Sequence, residues 1–280
     1  MNRSDVRTLL QSAGIRPAKR LGQNFLVDRA ALDRVDATVA GAIAECGIDT
    51  IVEIGPGLGA VTERLLGHGL DVLAIEVDRR LAAILQDRLG TQPALVVRRD
   101  DVLRVDLTAE LAGCRALVVG SLPYRITAPI LKHLVAHRAA IVEALLITQR
   151  EVADKLADSP GKDGSSLGVL VKAYADVDVV GGIGRNGFYP APDVDSTLWR
   201  LRFLGHPRFE ADEGAFFTVV RALYGVRRKM IRRALQEIVA KERIDDMLAA
   251  AEVDGTWRGE RLSFEELDRL AAAFRAATDA

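Results

Sequence analysis

The most constraining feature of the sequence is a glycine-rich turn that follows one predicted strand and opens a predicted helix. The turn reads Glu53-Ile54-Gly55-Pro56-Gly57-Leu58-Gly59. Its glycines let the backbone approach a ligand closely, at the positive end of the helix. Glu76 lies 21 residues after Gly55, at the tip of the next predicted strand, where a carboxylate can accept hydrogen bonds from both hydroxyls of a ribose. The pattern predicts a nucleotide-type binding site.

Short apolar runs alternate with helical periods around this turn. The predicted strands are 51–54, 71–76, 94–98, 116–119 and 144–148, and the predicted helices between them are 60–66, 80–89 and 127–136. Such a succession predicts an α/β fold with a parallel sheet covered by helices. Later strands are predicted at 177–180 and 196–203, with an irregular, proline-containing segment at 188–193.

After about residue 207 the pattern changes to helices only. The predicted helices are 213–224, 228–239, 244–251 and one that begins near Ser263. Ser263 and Glu266 form a capping box, which satisfies two backbone donors at the start of a helix. We therefore predict two domains, an α/β domain over 1–205 with a basic N-terminal segment and a small all-helical domain over 206–280.

Composition and short motifs exclude several classes of protein. With 49% hydrophobic and 28% charged residues and a net charge of −1, the chain is not disordered. The most apolar stretch, 139–148, contains Glu143 and is too short to span a membrane, and the first ten residues lack the apolar region of a signal peptide. Two cysteines outside any C-x-x-C pair, and His133 and His137 without a third ligand, predict no metal. We expect a cytoplasmic protein without membrane contact.

The near-neutral total hides two basic segments. Residues 1–30 carry a net charge of +4, and residues 214–241 carry +6. A charge run is more often a solvated face than a binding site. Two such runs in a neutral chain nevertheless favour a polyanionic partner.

The glycine turn alone fits two classes of cofactor, because Gly55-x-Gly57-x-x-Ala60 also satisfies the dinucleotide pattern. Asp101, just past the third predicted strand, is placed to accept a hydrogen bond from the amine of an adenine, with Val102 offering apolar contact. A dehydrogenase would need a pocket histidine or a Tyr/Lys pair, and the sequence offers no such constellation. Cofactor-binding calorimetry would separate the two classes.

The tetrapeptide Ser121-Leu122-Pro123-Tyr124 follows the fourth predicted strand and is not needed for hydride transfer. It is similar to the Asn/Asp-Pro-Pro-Tyr/Phe motif of methyltransferases that act on exocyclic amino groups. The nitrogen of such an amine is a poor nucleophile, because its lone pair is delocalised into the ring. The Ser121 oxygen and the carbonyl of Leu122 or Pro123 are placed to accept the two N–H bonds and aim the lone pair at a methyl donor. Tyr124 would stack on the base.

Taken together, these motifs resemble the ribosomal RNA adenine dimethyltransferases, specifically the branch that acts on the 16S rRNA of the small subunit. Gly55, Glu76 and Asp101 match the cofactor motifs of that family in order and spacing. The other matching stretches are Arg20-Leu21-Gly22-Gln23-Asn24-Phe25-Leu26, Gln149-Arg150-Glu151-Val152-Ala153, the F-x-P-x-P-x-V-x-S stretch from Phe188 to Ser196, and Arg227-Arg228-Lys229. The resemblance covers most of the chain.

The resemblance implies a Rossmann-like class I methyltransferase sheet that uses S-adenosylmethionine, with a small C-terminal helical domain. It implies transfer of methyl groups to N6 of two adjacent adenines near the 3′ end of 16S rRNA, and a role in ribosome biogenesis. The implied cofactor residues are Asn24, Leu26, Gly55, Gly57, Gly59, Glu76, Asp101, Val102 and Ser121. The implied catalytic residues are Ser121, Leu122, Pro123, Tyr124 and Phe188. The implied RNA-binding residues are Arg20, Arg227, Arg228, Lys229, Arg232 and Arg233. We expect a monomer.

One position departs from the family pattern, since the family has Asn where this chain has Ser121. Serine is shorter, so we expect slower turnover; losing one well-placed polar contact of this kind costs ~10²–10³ in rate. Two alternatives stay open. One is an assembly factor that binds rRNA without chemistry, and the other is a large-subunit rRNA adenine methyltransferase of the macrolide-resistance type.

Overall fold

The computed structural model describes residues 1–18, 21–226 and 229–279. Within these residues the strands are β1 (Phe25–Leu26), β2 (Thr50–Ile54), β3 (Asp71–Ile75), β4 (Leu95–Arg98), β5 (Ala116–Ser121), β6 (Ile141–Gln149), β7 (Ala175–Ile183), β8 (Phe188–Tyr189) and β9 (Ser196–Phe203). The helices are α1 (Arg3–Ser12), α2 (Arg29–Cys46), α3 (Thr62–Leu66), α4 (Arg79–Leu89), α5 (Leu107–Leu111), α6 (Thr127–Ala136), α7 (Arg150–Ala157), α8 (Ser166–Tyr174), α9 (Glu213–Gly225), α10 (Ile231–Leu235), α11 (Ile244–Ala250) and α12 (Phe264–Asp279).

The central sheet has the strand order β4-β3-β2-β5-β6-β9-β7. The pairs β2·β3, β2·β5, β3·β4 and β5·β6 are parallel, and β9 runs antiparallel to β6. The inner strands are rich in valine, leucine and isoleucine because helices cover both faces of a parallel sheet. The predicted α/β fold is confirmed, with an antiparallel strand added on one side.

Two compact units divide the chain. The first contains residues 1–153 and 176–203, and the second contains residues 154–175 and 204–280. The predicted start of the helical domain, at residue 206, lies two residues after the second unit resumes at 204, and that unit also contains 154–175. Tyr174 at the end of α8 explains this, because its ring lies 5.8 Å from that of Phe209 and 6.1 Å from that of Phe217. The division into domains stays a prediction.

The second unit corrects one predicted helix. The periodicity predicts a continuous helix over 228–239, whereas α10 spans only Ile231–Leu235. Met230 is extended and pairs with Arg258, and the Ile231 N–H donates to the Trp257 carbonyl at 2.7 Å. The backbone N–H group of Ile231 is therefore bonded to a carbonyl in a loop distant in the sequence, and not to a carbonyl of a preceding helical turn. The predicted capping box at α12 is confirmed, with hydrogen bonds of 2.8 Å and 3.2 Å between Ser263 and Glu266.

Candidate active site

A pocket opens at the carboxyl ends of β2, β3 and β5. The chain passes from β2 to β3 on one side and later returns to β5 on the other side. Open α/β sheets bind ligands at such a switch point. The pocket is lined by 21–26, 53–58, 75–77, 100–102, 119–121 and Pro123, together with apolar side chains from the sheet and helices. The topology therefore gathers at one edge residues that are about a hundred positions apart in the sequence.

The glycine turn after β2 forms one wall of this pocket. Gly55, Gly57 and Gly59 all have positive φ angles, of 70°, 57° and 86°. A Cβ atom at Gly57 would lie 3.1 Å from the Phe25 ring, and one at Gly59 would lie 2.7 Å from Leu85 Cδ1. Gly57 therefore faces the N-terminal segment and Gly59 packs against α4. Of the predicted cofactor glycines that the structure describes, Gly59 is the one absent from the lining.

The helix after the turn begins later than predicted. The expected start was Ala60, whereas α3 covers only Thr62–Leu66. Residues between the glycines and α3 form turns. The N–H groups of Gly55, Gly57 and Gly59 are bonded within the protein, to the Ile75 carbonyl, Glu76 Oε2 and the Pro56 carbonyl.

Glu76 at the end of β3 is fixed from two sides. Its Oε2 accepts the Gly57 N–H at 3.1 Å and its Oε1 accepts the Asp78 N–H at 2.9 Å. The residue is 5% exposed, and this burial raises the pKa of its carboxyl. Backbone donors from Asp78 and Gly57 oppose that shift by stabilising the charged form. The carboxylate predicted to hold a ribose is thus tied to the glycine turn.

Asp101 and Val102 form a further part of the lining. Asp101 Oδ1 accepts the Leu103 N–H at 3.1 Å and so caps a single 3₁₀ turn over Val102–Arg104. Val102 is buried at 5% exposure. Asp100 Oδ1 accepts the Asp101 N–H at 2.9 Å. A carboxylate and an apolar surface therefore stand side by side, as the sequence predicts for an adenine site.

The predicted tetrapeptide is partly brought to the pocket. Ser121 and Pro123 line it, whereas Leu122 is 2% exposed and its N–H donates to the Ile147 carbonyl at 2.9 Å. The Pro123 carbonyl accepts the Ile126 N–H at 3.1 Å and the Thr127 hydroxyl at 3.2 Å, so both of its lone pairs are already in use. The side chain of Tyr124 lies outside the part of the chain that the structure describes.

Phe188 is not brought to the pocket among the described residues. It is 2% exposed, and β8 pairs with β1 so that Phe188 lies opposite Leu26. Both residues belong to the main hydrophobic core. Its predicted contact with the target base stays a prediction.

Glu53 and Gln23 are among the pocket residues that the sequence analysis did not assign to the site. Glu53, at the end of β2, is 3% exposed, and its Oε2 accepts the Thr62 hydroxyl at 2.6 Å. Burial raises the pKa of the Glu53 carboxyl to about 8, so the group is mostly neutral at pH 7. Gln23 lines the pocket beside Asn24 and Leu26. An acid directly before the glycine turn was a signal for Glu53, whereas the contacts of Gln23 had no local signal.

The predicted RNA-binding residues are exposed where the structure describes them. Lys229 Nζ lies 3.3 Å from Glu237 Oε1, Arg232 forms an ion pair with Asp245, and Arg233 donates to Gln236. Arg20, Arg227 and Arg228 lie outside the described residues. Lys229, Arg232 and Arg233 thus share one short stretch of the second unit, each with a polar or acidic neighbour.

Among the described residues, no group of three or more His, Cys, Asp or Glu side chains is arranged to hold a metal ion. Across the same part of the chain, no helix is long and apolar enough to cross a membrane.

Comparison with known proteins decides the family. The family model described as "Ribosomal RNA adenine dimethylase" matches residues 15–274. The chain belongs to the ribosomal RNA adenine dimethylase family. This membership confirms the resemblance found in the sequence and the predicted class of enzyme, an S-adenosylmethionine-dependent rRNA adenine dimethyltransferase. The fold and the strand-end pocket agree with it.

Individual relatives agree with this family. A protein of Moorella thermoacetica named "Ribosomal RNA small subunit methyltransferase A" is 40% identical over 92% of this chain and 92% of its own length. A protein of the same name from Oceanobacillus iheyensis is 38% identical over 91% and 90%. The solved structure titled "Crystal structure of 23S rRNA methyltransferase ErmE" is 28% identical, with a TM-score of 0.69, covering 90% of this chain and 100% of that one. Identity is higher to the small-subunit enzymes.

Proposed function

We propose that this dimethylase modifies N6 of two adjacent adenines near the 3′ end of 16S rRNA, within the small ribosomal subunit, and thereby takes part in ribosome biogenesis. The observation that carries this is the strand-end pocket in which Glu76, Asp101 and Ser121 meet the glycine turn. The identity of 38–40% to relatives named for the small subunit supports this branch over the large-subunit one. We expect the protein to act as a monomer in the cytoplasm.

The donor set of the pocket fits S-adenosylmethionine. Glu76 offers a fixed carboxylate to ribose hydroxyls, and Asp101 with Val102 offers an acceptor and an apolar contact to adenine. The positive φ of Gly57 and the nearness of the Phe25 ring leave no room for a side chain at that position. Asn24, Leu26 and Ser121 line the same pocket. When bound, the cofactor supplies an electrophilic methyl group on a sulfonium.

The tetrapeptide would orient the target amine. The Ser121 hydroxyl is a hydrogen-bond acceptor, and the Leu122 carbonyl is the second acceptor, because the Pro123 carbonyl already accepts from the Ile126 N–H and the Thr127 hydroxyl. The hydrogen bond from the Leu122 N–H to Ile147 fixes the chain at the end of β5. These groups would hold the two N–H bonds so that the nitrogen lone pair points at the methyl group. The bound cofactor would supply the methyl group, and these acceptors would hold N6 in place until its proton passes to water.

The target adenine must leave any stacked arrangement to enter such a pocket. The basic stretch at Lys229, Arg232 and Arg233 would bind phosphates, which gives affinity without sequence information. Choice of the site would then depend on the shape of the RNA. Arg20, Arg227 and Arg228 are proposed to add to this electrostatic binding.

Mass spectrometry of nucleosides tests the proposal directly. Small subunits that lack the modification are incubated with the protein and S-adenosylmethionine, and the 16S rRNA is digested and analysed. We expect dimethyladenosine. Its absence, in a sample where the protein binds both cofactor and subunit, would favour the assembly-factor alternative. Large subunits treated in parallel serve as the control, and methylation of their rRNA alone would favour the macrolide-resistance type.

A further inference from the structure

Gln23 connects the N-terminal segment to the end of β3. Its Oε1 accepts the Ala18 N–H at 2.7 Å, and its Nε2 donates to Asp78 Oδ2 at 2.9 Å. Gln23 lies among the residues 21–26 that line the pocket. The Gln23 side chain thus links Ala18 to Asp78, two residues after Glu76.

Asp78 is a junction of several contacts. Its Oδ1 accepts the Arg80 N–H at 3.0 Å as the cap of α4, and its carboxylate pairs with the Arg80 guanidinium at 2.8 Å. The Asp78 N–H donates to Glu76 Oε1 at 2.9 Å. The side chain of Asp78 is 6% exposed. Asp78 therefore holds Gln23 with its side chain and Glu76 with its backbone.

Hydrophobic contacts before Gln23 and strand pairing after it also hold this part of the chain in place. Before it, Ile15 belongs to a small hydrophobic cluster with Val6 and Leu10 of α1. After it, Phe25 and Leu26 pair with β8. The bridge through Gln23 acts between these anchors, at the point where the segment passes the strand end that carries Glu76.

We propose that Gln23 and Asp78 are positioning residues, which together hold the wall 21–26 and the Glu76 carboxylate at a fixed spacing for the cofactor. This inference rests on the proposed function, because it takes S-adenosylmethionine as the ligand. Gln23 acts through its neighbours, so its loss weakens binding without removing a group of the reaction.

The chemistry of the bridge explains the need for an amide. Gln23 must accept from a backbone N–H and donate to a carboxylate, and a primary amide has both an acceptor and a donor. A glutamate would place a second carboxylate against Asp78. A lysine would keep a donor for Asp78 and lose the acceptor for Ala18. If the hydrogen-bonded bridge matters, the three replacements should therefore weaken cofactor binding by different amounts. A loop that tolerates any side chain would show no such order.

The test compares Gln23→Lys, Gln23→Ala and Gln23→Glu by calorimetric titration with S-adenosylmethionine. We expect affinity to fall in that order, with a loss of about 10- to 100-fold for Gln23→Glu, the range for a lost hydrogen bond to a charged group. Gln11→Glu, the same change at an exposed position of α1, is the matched control and should have no effect. Equal losses in all three Gln23 variants would overturn the proposal.

A double variant that exchanges the amide of Gln23 with the carboxylate of Asp78 gives a second test. Gln23→Glu combined with Asp78→Asn restores a donor facing an acceptor, so the double variant should bind the cofactor more tightly than Gln23→Glu alone. Trypsin cleavage after Lys19 and Arg20, without cofactor, should be fastest in Gln23→Glu. No recovery in the double variant would contradict the bridge. If the native protein itself fails to bind S-adenosylmethionine, the proposed function fails, whereas the proteolysis still reports on the bridge.

Discussion

The pocket of the first unit and the basic stretch of the second unit use charge in opposite ways. Glu76 and Asp78 are buried carboxylates, each fixed by two or more hydrogen bonds. Lys229 and Arg232 are exposed cations, and their acidic partners are exposed as well. Buried charges that are held by hydrogen bonds can fix the position of a ligand. Exposed charges add electrostatic affinity, which salt screens. This difference agrees with the proposed roles, which are cofactor recognition by the first unit and attraction of RNA phosphates by the second.

The largest expected effect comes from Glu76→Gln. The amide turns one acceptor into a donor, which then faces the N–H of Gly57 or Asp78 and leaves a buried group unsatisfied. We expect the affinity for S-adenosylmethionine to fall by about 100-fold or more, measured by calorimetry. Asp71→Asn, at the exposed start of the same strand, is the control and should bind normally. A loss of less than about threefold would contradict the role of Glu76.

The buried Glu53 should make the free energy of unfolding of the protein depend on pH. Since burial raises its pKa from 4.5 to about 8 in the folded protein, unfolding releases a proton between these values. The free energy of unfolding should therefore fall as the pH rises from 4.5 to 8. Glu53→Gln keeps an acceptor for Thr62 and has no proton to lose, so the difference in free energy of unfolding between this variant and the native protein should grow by several kcal/mol across the window.

Denaturant unfolding at several pH values measures the Glu53 effect. Glu45→Gln, at an exposed position of α2, is the control for removing one acid. A constant difference between Glu53→Gln and the native protein from acidic to alkaline pH would mean that Glu53 is charged in the folded state.

Ser121 is expected to affect the rate of methyl transfer, through its contact with the target base. Because serine is shorter than the asparagine of the family, we expect Ser121→Asn to raise the rate of methyl transfer by about 10-fold, and Ser121→Ala to lower it by a similar factor. Single-turnover methylation of small subunits measures both. Thr108→Ala, at an exposed position of α5, is the control. The interpretation of Ser121 fails if the asparagine variant gains no rate.

The smallest effect is expected in the basic stretch. Lys229→Ala and Arg233→Ala should each weaken binding to small subunits by about threefold at moderate salt, and each should lower the slope of log affinity against log salt by about one. Arg232→Ala should behave like Lys229→Ala, since each of the two side chains has one exposed acidic partner. Binding measured over a series of salt concentrations decides this. An unchanged slope in both single variants would remove these residues from the RNA contact.

Much of the first unit could be predicted from the sequence, because its signals are local. The glycine turn, the acid at the end of β3 and the alternating apolar runs each lie within a short window. The adjacency of Glu76, Asp101 and Ser121 then follows from the rule that parallel strands end at one edge. The sequence could not predict that Phe188 lies in the core, because the pairing of β8 with β1 joins residues more than 160 positions apart.

The second unit was harder to predict for the same reason. The periodic run 228–239 suggests one helix, and the contacts that shorten it come from the loop around Gly255 and Trp257. The bridge from Gln23 to Asp78 spans 55 residues and involves two polar side chains without a periodic pattern. Long-range hydrogen bonds of this kind leave no trace in local propensity.

A crossed binding measurement tests the central claim most directly. The affinities for S-adenosylmethionine and for small ribosomal subunits are both measured in Glu76→Gln and in Lys229→Glu. If the pocket and the basic stretch have separate roles, Glu76→Gln loses the cofactor and keeps the subunit, and Lys229→Glu loses subunit affinity and keeps the cofactor. Parallel loss of both affinities in either variant would contradict the claim.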